Sequence, residues 1–278
     1  MNAGILYLVA TPIGNLEDIS ARAVRVLGEV DLIAAEDTRL SGRLLKALGI
    51  SRPLISYYEH NKALRGGELL ARLQSGENIA LISDAGMPGI SDPGADLVRL
   101  AIEAGIETVI IPGPNAALSA LVLSGLESSR FTFEGFLPRE GGKRRLALTA
   151  LAAEQRTLIF YEAPHRLLAT LRDMAAAFGE QRPAAAGREL TKLHEEMVRG
   201  SLGDLLAHFN ETAPRGEFTL VVAGALPPVP KIPPEGELTA ELAALITAGQ
   251  GRKEAAKTLA QKYGLSVKQV YGLGLKSD

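Results

Sequence analysis

The chain of 278 residues contains no cysteine. Disulfides and thiolate metal sites are therefore excluded, and a reducing cytoplasm is the expected setting. Charge of one sign is also lacking: 30 Lys and Arg stand against 32 Asp and Glu, so no global field draws the chain to nucleic acid. Any such contact must come from local basic patches. Long apolar runs are missing too. The first one, Ile5 to Ala10, follows no basic region and is too short for a signal peptide or a membrane span. The segment after it reads Thr-Pro-Ile-Gly-Asn-Leu rather than G-x-G-x-x-G, and no G-x-x-x-x-G-K-[ST] occurs. Rossmann dinucleotide binding and P-loop chemistry are disfavoured. No G-x-S-x-G marks a nucleophilic serine. The four histidines are scattered, and His194-Glu195-Glu196 lacks the second histidine of a zincin, so no metal site is expected.

What is present is an ordinary globular composition, 46% hydrophobic and 22% charged, long enough for two cores. Short apolar runs alternate with amphipathic stretches through the first 113 residues. Strands are expected at 5–10, 31–35, 53–57, 79–82 and 108–111, with helices between them at 18–27, 41–48, 63–74 and 95–104. This βαβα rhythm predicts a mostly parallel sheet covered on both faces.

The second stretch, 114–225, has a different texture. Strands are expected at 131–136, 156–161, 183–190, 196–200 and 218–223, helices at 115–123, 167–178 and 202–209. Their spacing lacks regular crossovers, which points to a mixed sheet. A basic loop carrying Arg139, Lys143, Arg144 and Arg145 is expected after the 131–136 strand. Residues 226–236 hold five prolines in eleven and read as a semi-rigid linker. A helical, helix-turn-helix-like tail follows over 237–278. The fold class expected is thus α/β, with two α/β domains, 1–113 and 114–225, and a small helical tail. Between Arg252 and Lys276 the tail has six bases (Arg252, Lys253, Lys257, Lys262, Lys268, Lys276) against Glu254 alone. That balance suits phosphate contact.

The densest signal is Asp84-Ala-Gly-Met-Pro-Gly-Ile-Ser-Asp-Pro-Gly94. Three glycines, two prolines and two aspartates in eleven residues suit neither helix nor strand. The run follows the buried strand 79–82, and an ordinary connection needs only about 2–6 residues. A shaped loop at a strand's carboxyl end is where open α/β sheets bind ligands. Gly86 and Gly89 let a ligand approach the backbone, and Asp84 can accept from an amine or hydroxyl. Four further strand tips, 11–15, 36–39, 59–61 and 112–115, share that edge and predict a cleft.

These segments resemble the tetrapyrrole methylase superfamily, and within it the enzymes that methylate small-subunit ribosomal RNA. The resemblance spans the whole chain. It is carried by residues 8–16, 35–39, 58–61, 84–94, 111–117, 135–139, 160–166 and 188–196, of which 84–94 and 160–166 are the most specific. It implies two α/β domains with S-adenosyl-L-methionine between them, a homodimer, and 2′-O-methylation of a cytidine ribose in the decoding region of small-subunit rRNA or of the assembled subunit. Carried over by position, the cofactor shell comprises Pro12, Asp84, Ala85, Gly86, Met87, Ile90, Asn115, Ala116, Tyr161 and Glu162. Candidates for taking the hydroxyl proton are Glu36, Asp37, His60 and Lys192, together with Glu59. Arg39, Arg166 and Arg188 suit phosphate contacts, and Glu59, Asn61, Arg139, Lys143, Arg144 and Arg145 complete the expected RNA-binding set. Two rivals remain: a tetrapyrrole C-methyltransferase of the same fold, and a non-catalytic RNA-binding factor.

Overall fold

The computed structural model describes residues 3–227 and 232–273; the centre of the proline-rich linker and Lys276 lie outside the described residues. The chain divides into two compact units, Met1–Ala225 and Leu226–Asp278.

The first sheet joins β1 (Ile5–Val9), β2 (Leu32–Ala35), β3 (Leu54–Ser56), β4 (Ile79–Ile82) and β5 (Glu107–Ile111) in the order β3-β2-β4-β1-β5. Every pairing is parallel. The central strands β2 and β4 are buried at every position, which explains why they read as unbroken apolar runs. Their side chains alternate between two cores. On β4, Ile79 and Leu81 face Leu69 and Leu73 of α3 (Lys62–Gln74) and Leu97 of α4 (Gly94–Glu103). Ala80 and Ile82 face Val26 and Leu27 of α1 (Ala21–Glu29) and Leu45 of α2 (Thr38–Ala47). Helices therefore cover both faces. The crossovers run one way from β1 to β3 and return through β4 to β5, so the carboxyl ends of β4, β1 and β5 frame the reversal point where ligands bind in such sheets.

The second sheet has the order β6-β7-β10-β8-β9, from β6 (Phe131–Phe136), β7 (Thr157–Glu162), β8 (Pro183–Arg188), β9 (Glu196–Ser201) and β10 (Phe218–Val222). The β6–β7 pair is parallel and the other three are antiparallel, so the sheet is mixed. One face packs on α6 (Gly141–Leu151), α7 (Pro164–Phe178) and α8 (Leu202–Glu211). The other packs on α5 (Ala116–Ser124) through Ala117, Ala120 and Leu121, and Ile13 from the loop after β1 joins that core.

One expectation is corrected here. The basic segment after β6 is not a loop: Lys143, Arg144 and Arg145 lie in the first turns of α6. Arg144 is buried and pairs with Asp173 of α7 at 2.7 Å. Two glycines and three consecutive bases hide the helix, because its core contacts, Leu148 and Leu151, come only in its second half.

The second unit packs α9 (Glu235–Thr247), α10 (Arg252–Tyr263) and the short α11 (Val267–Tyr271) around Leu242, Ala256, Leu259 and Val270. Gly264 at φ +66° closes α10, and Ser266 with Gln269 forms a capping box on α11. Arg252 donates to the carbonyl of Leu273, and Lys262 pairs with Glu241. Lys253, Lys257 and Lys268 are exposed and form no ion pair among the described residues.

Candidate active site

Inside the first unit, a cavity of about 600 Å³ opens between the carboxyl ends of the first sheet and the α5 side of the second. The loop after β4 forms one wall. Its shape follows from its own hydrogen bonds. The Asp92 carboxylate accepts from the amides of Gly89 and Gly94, at 2.9 and 2.8 Å, and folds the loop back on itself. Gly86 and Gly89 hold φ of +81° and +83°, a region that disfavours side chains. Thr11 and Gly86 exchange backbone hydrogen bonds at 2.9 and 3.1 Å, stitching the loop to the end of β1. A Cβ on Gly86 would meet Ile13 Cγ2 at 3.3 Å and the Pro114 carbonyl at 3.5 Å.

Asp84, Ala85, Gly86, Met87, Ile90, Asn115, Ala116, Tyr161 and Glu162 all line the cavity; Pro12 does not, and its neighbour Ile13 does. Asn115 accepts from the Leu118 amide as the N-cap of α5. Glu162 is buried and fully engaged: it accepts from the Ala163 amide at 2.9 Å and the Thr170 hydroxyl at 2.5 Å, and lies 3.3 Å from Arg166 Nε. Burial pushes the Tyr161 phenol up, with the Ala117 amide acting in the opposite sense.

Of the five proton-accepting candidates, Glu36 and Lys192 line the cavity; Asp37, Glu59 and His60 do not. Glu36, at the tip of β2, is pushed above its ordinary value by burial and then by Asp84 and Asp92. Asp84 is also raised, by burial first, although the amide of Asp37 donates to it at 2.9 Å and works against the rise. Asp37 has a different task. It caps α2 and chelates the Arg39 guanidinium, which holds its carboxyl at about 2. His60 is exposed in the turn after β3, and β3 is the far edge of the sheet, away from β1 and β5. That edge position is why a strand tip alone misplaced it. Lys192 donates to Glu189 at 2.8 Å and to Glu217 at 2.9 Å. Burial works against its charge, but the two carboxylates outweigh burial and raise it, so it is a held cation rather than a neutral base.

The residues expected to contact RNA stay outside the cavity lining. Glu59 pairs with Lys62, and Asn61 ties the turn after β3 to the Ser56 carbonyl. Arg188 donates to the Arg215 carbonyl and pairs with Glu196. Arg166 donates to the carbonyls of Leu137 and Pro138. Arg139, Lys143 and Arg145 are exposed, Lys143 beside Glu140. With Arg144 buried, the exposed cations of the expected RNA-binding set are Arg39, Arg139, Lys143 and Arg145.

Several lining residues carried no sequence signal by themselves. Glu217 and Thr219 arrive from the start of β10, and only the strand order of the second sheet brings them beside Tyr161, while Phe136 on β6 stands in a segment that the resemblance rests on, without an expected role. Glu189 and His165 stand in segments that the resemblance rests on, without an expected role. Glu189 and Thr191 adopt φ of +48° and +67°, costs of roughly 1–3 kcal/mol each, in a loop fastened by Glu189 with Lys192 and by Glu195 with the Thr191 amide.

Residues 5–206 match the family model of the tetrapyrrole (corrin/porphyrin) methylases. A Synechocystis protein named ribosomal RNA small subunit methyltransferase I is 52% identical over 275 residues, covering 99% of both chains. A protein of the same name from Escherichia coli O157:H7 is 48% identical, covering 99% of this chain and 96% of its own. Among solved structures, uroporphyrin-III-C-methyltransferase from Thermus thermophilus superposes with a TM-score of 0.58 over 79% of this chain and 94% of that one, at 23% identity. With the family match spanning the first sheet and β6 to β9 of the second, and such relatives aligned end to end, the chain belongs to the tetrapyrrole methylase family.

Proposed function

We propose that the chain methylates small-subunit ribosomal RNA at a cytidine ribose 2′-hydroxyl of the decoding region, using S-adenosyl-L-methionine. The observation that carries this reading is the near-full-length identity of about half to relatives bearing that rRNA methyltransferase name. The cavity supports it. Its volume suits a molecule of this size, and pockets of roughly 300–1,000 Å³ are usual. Ile13, Met87, Ile90, Ala116 and Leu190 offer apolar walls for a nucleoside, and Gly86 leaves a cradle that a side chain would fill. Asp84 offers negative charge to the cationic groups of the cofactor. When bound, S-adenosyl-L-methionine supplies an electrophilic methyl group.

The chain's own residues do the rest. Alignment of the attacking oxygen is worth effective molarities up to ~10⁵–10⁸ M. Glu36 is the group we assign to take the hydroxyl proton. It is half-buried at the cavity wall with its affinity for a proton raised, whereas Asp37 is held ionised by Arg39 and Lys192 is held protonated by Glu189 and Glu217. The Asp92 turn fixes the loop that carries Asp84 and Gly86. A homodimer and a cytoplasmic setting belong to the same proposal; among the described residues no helix is long and apolar enough to cross a membrane.

The test presents S-adenosyl-L-methionine with small-subunit RNA, assembled small subunits or a reduced uroporphyrin-type tetrapyrrole. Methyl transfer to a cytidine 2′-oxygen, lost in Gly86→Val together with cofactor affinity, is expected. Transfer to the tetrapyrrole instead, or cofactor binding with no transfer, overturns the reading.

A further inference from the structure

We infer that Phe136 is the platform on which one unstacked nucleobase of the RNA rests while its strand enters the cavity; this deepens the function proposed above and rests on it. Phe136 lines the cavity yet is 57% exposed, while its neighbour in sequence, Leu137, is 5% exposed and packed in the core. The reversal is built into β6. The register against β7 shifts between Phe133 and Gly135, and Gly135 sits at φ +62°, which places a bulge just before Phe136. Bulges re-aim side chains beside functional sites.

The ring is held from behind. Tyr161 lies 5.6 Å away at a tilt of 58°, and is itself fixed edge-on by Phe133 at 4.9 Å. The backbone just after Phe136 is clamped. Arg166 donates to the carbonyls of Leu137 at 2.8 Å and Pro138 at 3.2 Å, and the buried Glu162 steadies Arg166. Glu162 takes its own position from Thr170 and the Ala163 amide. A chain of buried polar contacts thus ends on an apolar ring facing open space.

An exposed aromatic anchored in this way matches the face of a nucleobase. Single-stranded RNA is commonly read by bases that leave the stack and rest on aromatic side chains. Three residues on in the sequence, Arg139 is exposed and has no ion pair among the described residues, which leaves its charge available to an adjoining phosphate. The ribose between that base and that phosphate would then face the cavity.

The experiment compares the full chain with Phe136→Ala and Phe136→Trp. Two ligands are titrated separately: S-adenosyl-L-methionine by calorimetry, and a short single-stranded oligonucleotide of the decoding-region sequence with 2-aminopurine at the target position. Stacking on an aromatic is worth about 1–3 kcal/mol per base, so Phe136→Ala should weaken the oligonucleotide roughly 5- to 150-fold and remove its fluorescence quenching. Phe136→Trp should restore both, and cofactor affinity should stay within about twofold, which also reports that the variants fold. An equal loss of cofactor affinity in Phe136→Ala would make the ring a wall of the cofactor pocket and overturn the inference. Unchanged oligonucleotide affinity overturns it too, as does failure of the wild type to bind. If the wild type binds and quenches but transfers no methyl group to small-subunit RNA, the proposed function fails while the platform stands. If it methylates and Phe136→Ala binds equally well, the platform alone fails.

Discussion

A Cβ added to Gly14 would stand 2.3 Å from Lys192 Cγ, 2.9 Å from Thr191 Oγ1 and 3.0 Å from the Leu190 carbonyl. The loop after β1 in one sheet and the loop after β8 in the other meet here with no room for a side chain. The Lys192 stem could swing away, but the Leu190 carbonyl could not without disturbing the left-handed residues around it. Gly14→Val should therefore shift the loop that presents Lys192 and Glu189. The expected result is at least a tenfold fall in kcat/KM with Tm lowered by only a few degrees. A kinetic comparison with Gly28→Val, where nothing lies within 4 Å, separates loop displacement from a general glycine effect.

Glu36 gives a pH-dependent prediction. Burial and its acidic neighbours raise its proton affinity in the folded chain. A raised carboxyl contributes stability that is fully present below its unfolded value and is lost as pH rises through the folded value. Glu36→Gln should thus be more heat-stable than the wild type at pH 7, with the advantage vanishing below the ordinary carboxylate range, and Tm against pH measures it. Each kcal/mol relieved is about 2–4 °C in a unit of this size. If Glu36 takes the hydroxyl proton, the same variant loses roughly 10²–10⁴-fold in turnover. Full turnover in Glu36→Gln would sink that role.

Arg144 was expected on the RNA-binding surface from its place in a basic run, and the fold turns it inward onto Asp173. Removing one partner of a buried pair costs up to about 3–5 kcal/mol, and Arg145, at 4.0 Å from Asp173, compensates only part of the charge left behind. Arg144→Ala should lower Tm by up to roughly 6–20 °C and leave the salt slope of RNA affinity unchanged in the fraction that remains folded. Arg139→Ala should do the reverse. Thermal melts with salt-dependent binding distinguish them.

The helical unit has its own core, so a chain ending at Pro227 should retain the melting behaviour of the first unit and its cofactor affinity. Arg252 and Lys262 are occupied by internal contacts, which leaves Lys253, Lys257 and Lys268 free for phosphates. Losing about three such contacts should flatten the log–log salt dependence of RNA binding by roughly 2. An unchanged slope would assign the unit to another task.

The sequence disclosed most where one local constraint dominated. The strands of the first sheet are apolar runs bounded by Gly, Pro and Asp, and β4 with its loop was legible to within a residue. The mixed second sheet was legible as a texture, not as an order, because β10 is inserted between β7 and β8 and no local signal specifies that. The same gap hid three of the cavity's lining residues. Glu217, Thr219 and Phe136 become site residues only through non-local pairing. Asp37 and His60 show the opposite failure. Their residue types suit proton transfer, but a capping geometry claims one and an edge strand removes the other.

The pairing pattern of the first sheet also bears on how the chain is made. The earliest of the five strands in this sheet, β1, is hydrogen-bonded to β4 and β5 and to neither β2 nor β3; Leu6 pairs with Ile79 and Thr108. A ribosome must deliver residue 111 before β1 has both neighbours. Until Ile82 is delivered Ile5–Val9 is an apolar strand with two open edges, and from there to Ile111 one edge stays open. Loops of this length close slowly, and the exposed edges are templates for other chains. The strand that carries Thr11 to the loop after β4 is thus the one most dependent on protection while the chain is nascent.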